Sequence, residues 1–162
     1  MSHVATVETV IYHLDLLSQA VEELGLKFNW GQTNHKWYGR WMNDYAADDA
    51  AYRQGIDPSQ YGKCDHAISM PGNTSAYEIG VVKNPKGDGH VLLFDFYNNG
   101  YGMGSVVGGG NMGKLVARYN RLVEIQKAQQ LGYGVQETVN DQGQIELEFI
   151  DYGYQQEAQQ WA

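Results

Sequence analysis

The residues best equipped for chemistry lie at the middle of the chain, where Gly108-Gly109-Gly110-Asn111-Met112-Gly113-Lys114 has the glycine and lysine spacing of a phosphate-binding loop. Seven glycines fall within residues 100–113. Glycine loses more backbone entropy on ordering than any other residue, so a dense cluster implies that bare N–H groups approach something closely. An anion ahead of a helix N-terminus is one such thing, and a flexible surface connection is the other reading of the same residues. Lys114, Arg118 and Arg121 follow at i, i+4 and i+7 and would add positive charge along one helical face. The match to a nucleotide-hydrolysing loop ends at Leu115, which stands where serine or threonine would hold Mg²⁺, and Asp95 lies upstream of the loop instead of downstream. Capture of a phosphate-bearing group without hydrolysis is the expected chemistry, with Gly108, Gly109, Gly110, Asn111, Gly113 and Lys114 touching the anion and no metal or cofactor required.

A second feature adds a partner for that loop. Trp37, Trp41 and Tyr45 recur at i, i+4 and i+8, close to Asn34, Lys36 and Arg40, and planar side chains beside polar and cationic ones can stack a base. Trp37 and Trp41 therefore join the expected ligand-binding set with Arg118 and Arg121. The same stripe also suits a core, and tyrosine, tryptophan, asparagine and glycine together suit a protein-docking surface. Two functions follow: a non-enzymatic binding protein for a phosphate-bearing ligand such as a nucleotide, or a protein–protein interaction adaptor. An enzyme using Asp65, His66 or Asp95 lacks an assembled constellation. Cys64-Asp65-His66 with His35 or His90 lacks the paired-cysteine spacing of a zinc site.

Composition narrows the partners. The chain has 162 residues, 11 lysines and arginines against 19 aspartates and glutamates, and a net charge of −8. That field repels nucleic-acid polymers and anionic membranes, while a local cationic pocket could still hold a small anion. Cys64 is the single cysteine, as expected of a cytoplasmic protein, and no signal peptide or membrane-spanning run is evident. Homo-oligomerisation is left open.

The elements that must position these residues can be read from apolar periodicity. Residues 4–12 and 26–30 suit strands, and Leu14, Leu17, Ala20, Val21 and Leu24 trace a helix face between them. Residues 66–70, 77–83 and 90–97 suit three more strands, the last two joined by a turn-rich hairpin link at residues 84–89. Leu115, Tyr119, Leu122, Ile125 and Leu131 mark a second long helix that Gly132 closes. Val135, Glu137 and Val139 alternate with polar neighbours, as do Ile145, Leu147 and Phe149 across Asn140-Asp141-Gln142-Gly143, the clearest hairpin in the chain. The expected fold is α+β, a two-layer sandwich of a mainly antiparallel sheet with two principal helices on one face. One domain spans residues 1–154, with an aromatic-rich inserted excursion at 31–65, a short helix at 43–54 within it, and a glycine-rich loop at 98–113. Residues 155–162 form a glutamine-rich tail.

Met1-Ser2-His3, Tyr77-Glu78-Ile79-Gly80-Val81, Arg118-Tyr119-Asn120, Gly132-Tyr133, Val135-Gln136-Glu137 and the run from Asn140 through Gln144-Ile145-Glu146-Leu147 are similar to the motifs of a hypothetical chloroplast reading-frame family of unknown function. That family has plastid, cyanobacterial and phage members. The resemblance covers about two thirds of the chain and omits residues 31–65 and the glycine segment. It implies a plastid stroma, a cyanobacterial cell or a phage-infected host cytosol as the setting, where sequestration of a signalling nucleotide would be one role. It implies no catalytic residues.

Overall fold

The computed structural model describes residues 4–6, 9–37 and 55–151. Strands β1 (Val4–Thr6), β2 (Lys27–Asn29), β3 (His66–Ser69), β4 (Ile79–Lys83) and β5 (His90–Asp95) make an antiparallel sheet in the order β1-β5-β4-β3-β2. Residues 91–95 of β5 are all buried, so this strand is covered on both faces, which explains its continuous apolar run. Pairing places Ile68, Ile79, Val81, Leu92 and Phe94 on one face and Gly80, Val82, Val91, Leu93 and Val4 on the other.

The second of these faces is covered by the described parts of the excursion. Ile56 and Tyr61 join Val4, Val91 and Leu93 in a buried cluster, with Val10, Trp37 and Val82 packed against it. Backbone bonds tie the excursion down, from Cys64 N–H to the Thr33 carbonyl, Asp65 N–H to Val81 and Glu78 N–H to Lys36. Of the strand expected over residues 4–12, Val4–Thr6 forms, residues 9 and 10 are not part of a strand, and Ile11 pairs separately with His90. The helix expected at 43–54 and the tail at 155–162 lie outside the described residues.

Helix α1 (Leu14–Glu23) lies against β2 and buries Leu16, Leu17, Ala20 and Val21; of the expected stripe Leu17, Ala20 and Val21 are buried and Leu14 and Leu24 only half-buried, while Leu16 joins the buried face in addition. His13 provides no side-chain cap at its start. Instead the Tyr119 hydroxyl accepts the N–H groups of Tyr12 and His13, at 3.1 and 3.2 Å. Tyr119 stands on helix α3 (Gly113–Gln130), so one phenol fixes how the chain approaches α1.

Residues 98–113, expected as a loop, are more ordered than that. Asn98, Asn99, Gly100 and Tyr101 take φ of 49, 56, 61 and 54°, four consecutive left-handed residues. Each L-residue in that region costs about 1–2 kcal/mol, less for asparagine, so the turn requires bracing. Tyr97 N–H donates to the Asp95 carboxylate at 3.1 Å, Tyr77 N–H to the Gly100 carbonyl at 2.9 Å, and the Asn73 amide to the Tyr101 carbonyl at 3.2 Å. Tyr77 and Tyr101 meet edge to face at 5.0 Å. A Cβ on Gly100 would lie 2.6 Å from the Phe94 ring. Helix α2 (Met103–Val107) follows and leads into α3.

Two compact units make up the chain, Met1–Tyr119 and Asn120–Ala162. The second holds the later part of α3 and a hairpin of β6 (Tyr133–Val139) and β7 (Ile145–Asp151). Its turn is built by Asn140, whose N–H donates to the Gln144 carbonyl and whose side chain accepts the N–H groups of Gln142 and Gln144. The fold is thus α+β with two antiparallel sheets. Among the described residues no helix is long and apolar enough to cross a membrane.

Candidate functional site

In the glycine segment the space at Gly108 and Gly110 is filled by neighbours, while that at Gly109 and Gly113 is not. A Cβ on Gly110 would lie 2.9 Å from the Phe96 ring, and one on Gly108 would lie 2.6 Å from the Lys114 backbone nitrogen. The N–H groups of Gly108 and Gly109 both donate to the Gly104 carbonyl, at 3.0 and 2.7 Å, and Met112 N–H donates to Gly109. Gly113 N–H is held by the Asn111 side chain at 3.2 Å. Much of the cradle that an anion would need is spent on closing the turn between α2 and α3. The N–H groups of Gly110 and Asn111 have no hydrogen-bond partner among the described residues.

The cations are distributed differently from the single face expected. Arg118 lies 3.8 Å from Glu23, and Arg121 pairs with Glu137 of β6. Lys114 is exposed and has no carboxylate partner among the described residues. Leu115, at the position of a magnesium-binding hydroxyl, is fully buried. Trp37 lies edge-on to Tyr61 at 5.8 Å, beside the cluster of Val91 and Leu93, whereas Gly100 rests on Phe94, which points to the other face. Trp37 and the glycine segment therefore meet different neighbours. Trp41 and Tyr45 lie outside the described residues.

The excursion buries a titratable group. His35 is 5% exposed, and its ring lies against bare Gly80, where a Cβ would come 2.6 Å from Cδ2. Neither ring nitrogen has a hydrogen-bond partner of normal geometry, although the backbones of Glu78 and Lys36 lie near enough to act on it. Burial lowers its pKa to about 4, with Glu78 and Asp95 pulling weakly the other way. Cys64 donates its thiol to the Gln32 carbonyl at 3.1 Å, and burial, with Glu78 and Asp65, pushes that thiol up to about 12. A thiol so held carries little thiolate near neutral pH.

Other titratable groups lie at the sheet's rim. His90 Nε2 lies 3.3 Å from the Asp65 carboxylate, and His66 Nδ1 accepts Gly31 N–H at 2.9 Å. Burial and then His90 lower the His66 pKa. Trp30, 56% exposed, packs edge-on to His66. Among the described residues no three His, Cys, Asp or Glu side chains are placed to hold a metal ion. A cleft of about 290 Å³ lies between Ile56, Gln60, Lys63, Asp65 and Lys83, at the small end for a ligand pocket.

The strongest surface feature is the hairpin, which sequence reasoning treated only as structure. Register puts Tyr133, Val135, Glu137 and Val139 on one face with Ile145, Leu147 and Phe149, and Gln136 and Thr138 on the other with Glu146 and Glu148. None of residues 133–150 is buried; Val139 is 69% exposed, Phe149 47% and Ile145 44%. Residues 133–151 carry five carboxylates and no lysine or arginine. The signal was present in the strict alternation of residues 145–149, yet alternation cannot tell a strand that covers a core from one that awaits cover.

No family model, curated protein or solved structure matches the chain. Function therefore has to be argued from the surfaces themselves.

A pH dependence follows from His35. The unfolded chain takes up this proton near pH 6.5, and the folded chain refuses it until about pH 4. Stability should fall as pH drops through that window, by about 3 kcal/mol in total, and the contribution should be constant above it. Urea denaturation of wild type and His35→Gln at pH 7 and pH 4.5 checks this; the variant should lose much less between the two pH values.

Proposed function

We propose that the protein is a non-catalytic interaction module whose docking element is the β6–β7 hairpin. The observation that carries this reading is the exposure of Tyr133, Val139, Ile145 and Phe149 on one face of a ribbon in which none of residues 133–150 is buried. A two-stranded ribbon is marginally stable by itself, so a partner that covered this face would gain apolar burial and order the hairpin together. Two other features support the reading. The Cys64 thiol and the buried His35 are unsuited to catalysis, and the glycine segment is largely self-satisfied.

A second reading, capture of a small phosphate-bearing ligand, is favoured by the unpartnered N–H groups of Gly110 and Asn111 beside Lys114. A cytosolic or stromal setting, and membership of the plastid, cyanobacterial and phage family, belong to this proposal too. They rest on the single cysteine and on the helix and hairpin motifs.

Two substitutions separate the readings. Phe149→Ser should weaken binding of a protein isolated on immobilised wild type by about 2 kcal/mol while leaving urea stability nearly unchanged. Equal retention on wild type and variant columns would exclude this face as the docking element. For the second reading, calorimetric titration with nucleotides should give saturable binding that Lys114→Ala weakens by about 1.5–3 kcal/mol. Absence of heat across the nucleotide panel would remove it.

A further inference from the structure

The outer edge of β7 has no strand beside it among the described residues. Its sequence Ile145-Glu146-Leu147-Glu148-Phe149 alternates strictly, so an extended segment laid along it would meet apolar side chains on one face and carboxylates on the other. The charge on β6 is answered, since Glu137 pairs with Arg121. On β7 Glu146 accepts a bond from the neutral Asn140 amide, and neither Glu146 nor Glu148 has a cationic partner among the described residues.

We infer that β7 is a docking edge for an extended segment of a protein partner in which apolar residues alternate with lysine or arginine, added as the hairpin's third strand. This rests on the proposed role of the hairpin as docking element and names the chemistry of its partner. Three strands with an apolar face reach the size at which a sheet becomes stable by itself, and the added strand satisfies the backbone groups of the open edge. Its apolar residues would lie beside Ile145, Leu147 and Phe149. Its cations would lie beside Glu146 and Glu148, where cross-strand pairs of opposite charge are favourable.

Charge also decides against a second copy. A two-fold pairing of β7 with itself centred on Glu148 sets Glu148 directly opposite Glu148, and the chain as a whole carries −8. Carboxylates on an open edge are a usual guard against self-pairing. The same carboxylates select a basic segment, and the apolar alternate residues distinguish that segment from any cationic surface.

Fluorescent heptapeptides test this on the full-length protein: one alternating valine with lysine, one alternating valine with glutamate, and the lysine peptide with a central proline. Wild type should bind the valine–lysine peptide at least about ten-fold more tightly than the valine–glutamate peptide. The proline should abolish binding, because it cannot donate to the ladder. Binding should slow amide hydrogen exchange at residues 145–151. Glu146→Lys with Glu148→Lys should invert the preference. Equal affinity for both charges, an unchanged preference in the double variant, or protection confined to other residues would overturn the inference. If peptide preference fails while retention of the isolated protein still depends on Phe149, the docking face stands and the strand-addition mode falls. If both fail, the hairpin is not the docking element.

Discussion

Burial of β5 on both faces is the constraint on which the rest of the first unit depends. Val91, Leu92, Leu93 and Phe94 admit almost no water, so each face of the sheet needs its own cover. The described parts of the excursion supply one, through Ile56, Tyr61 and Trp37. That cover reaches the sheet only because Gly80 leaves room for the His35 ring. On the opposite face Phe94 is capped by Gly100, whose position is set by the left-handed turn and the bonds from Tyr77 and Asn73. The strained turn, the bare glycine and the neutral histidine are consequences of one strand that must be dry on both sides.

The two sheets of the molecule differ in this respect. Each strand of the five-stranded sheet has buried residues, while none of residues 133–150 in the β6–β7 ribbon is buried. Apolar side chains that would be core in the first sheet stand exposed in the second, alternating along β7 with carboxylates. The apolar patterns differ accordingly, continuous in β5 and alternating in β7. In the first sheet the apolar run is divided between two covered faces; in the ribbon Val135, Val139, Ile145, Leu147 and Phe149 share one face with Glu137, and Glu146 and Glu148 lie on the other.

Much of the fold was legible. The stripe Leu17, Ala20 and Val21, the hairpin of β4 and β5 and the hairpin of β6 and β7 each carry a local period, and each forms as the period requires. The left-handed turn was not legible, because Asn98, Asn99 and Tyr101 are held there by contacts with Asn73 and Tyr77, distant in sequence. The candidate site was less legible still. Glycine spacing resembles a phosphate cradle whether the space above it is open or filled, and here Phe96 and the Lys114 backbone occupy the space at Gly110 and Gly108. Sequence also could not reveal that Arg118 and Arg121 each find a carboxylate, since Glu23 and Glu137 belong to other elements.

If the hairpin is a docking element awaiting cover, amide hydrogen exchange of the free protein, resolved by residue, should show it. Residues 145–151 should exchange orders of magnitude faster than residues 91–94, which should open only with global unfolding. Protection of β7 equal to that of β5 would mean that the hairpin is already complete within the chain, and would contradict the claim.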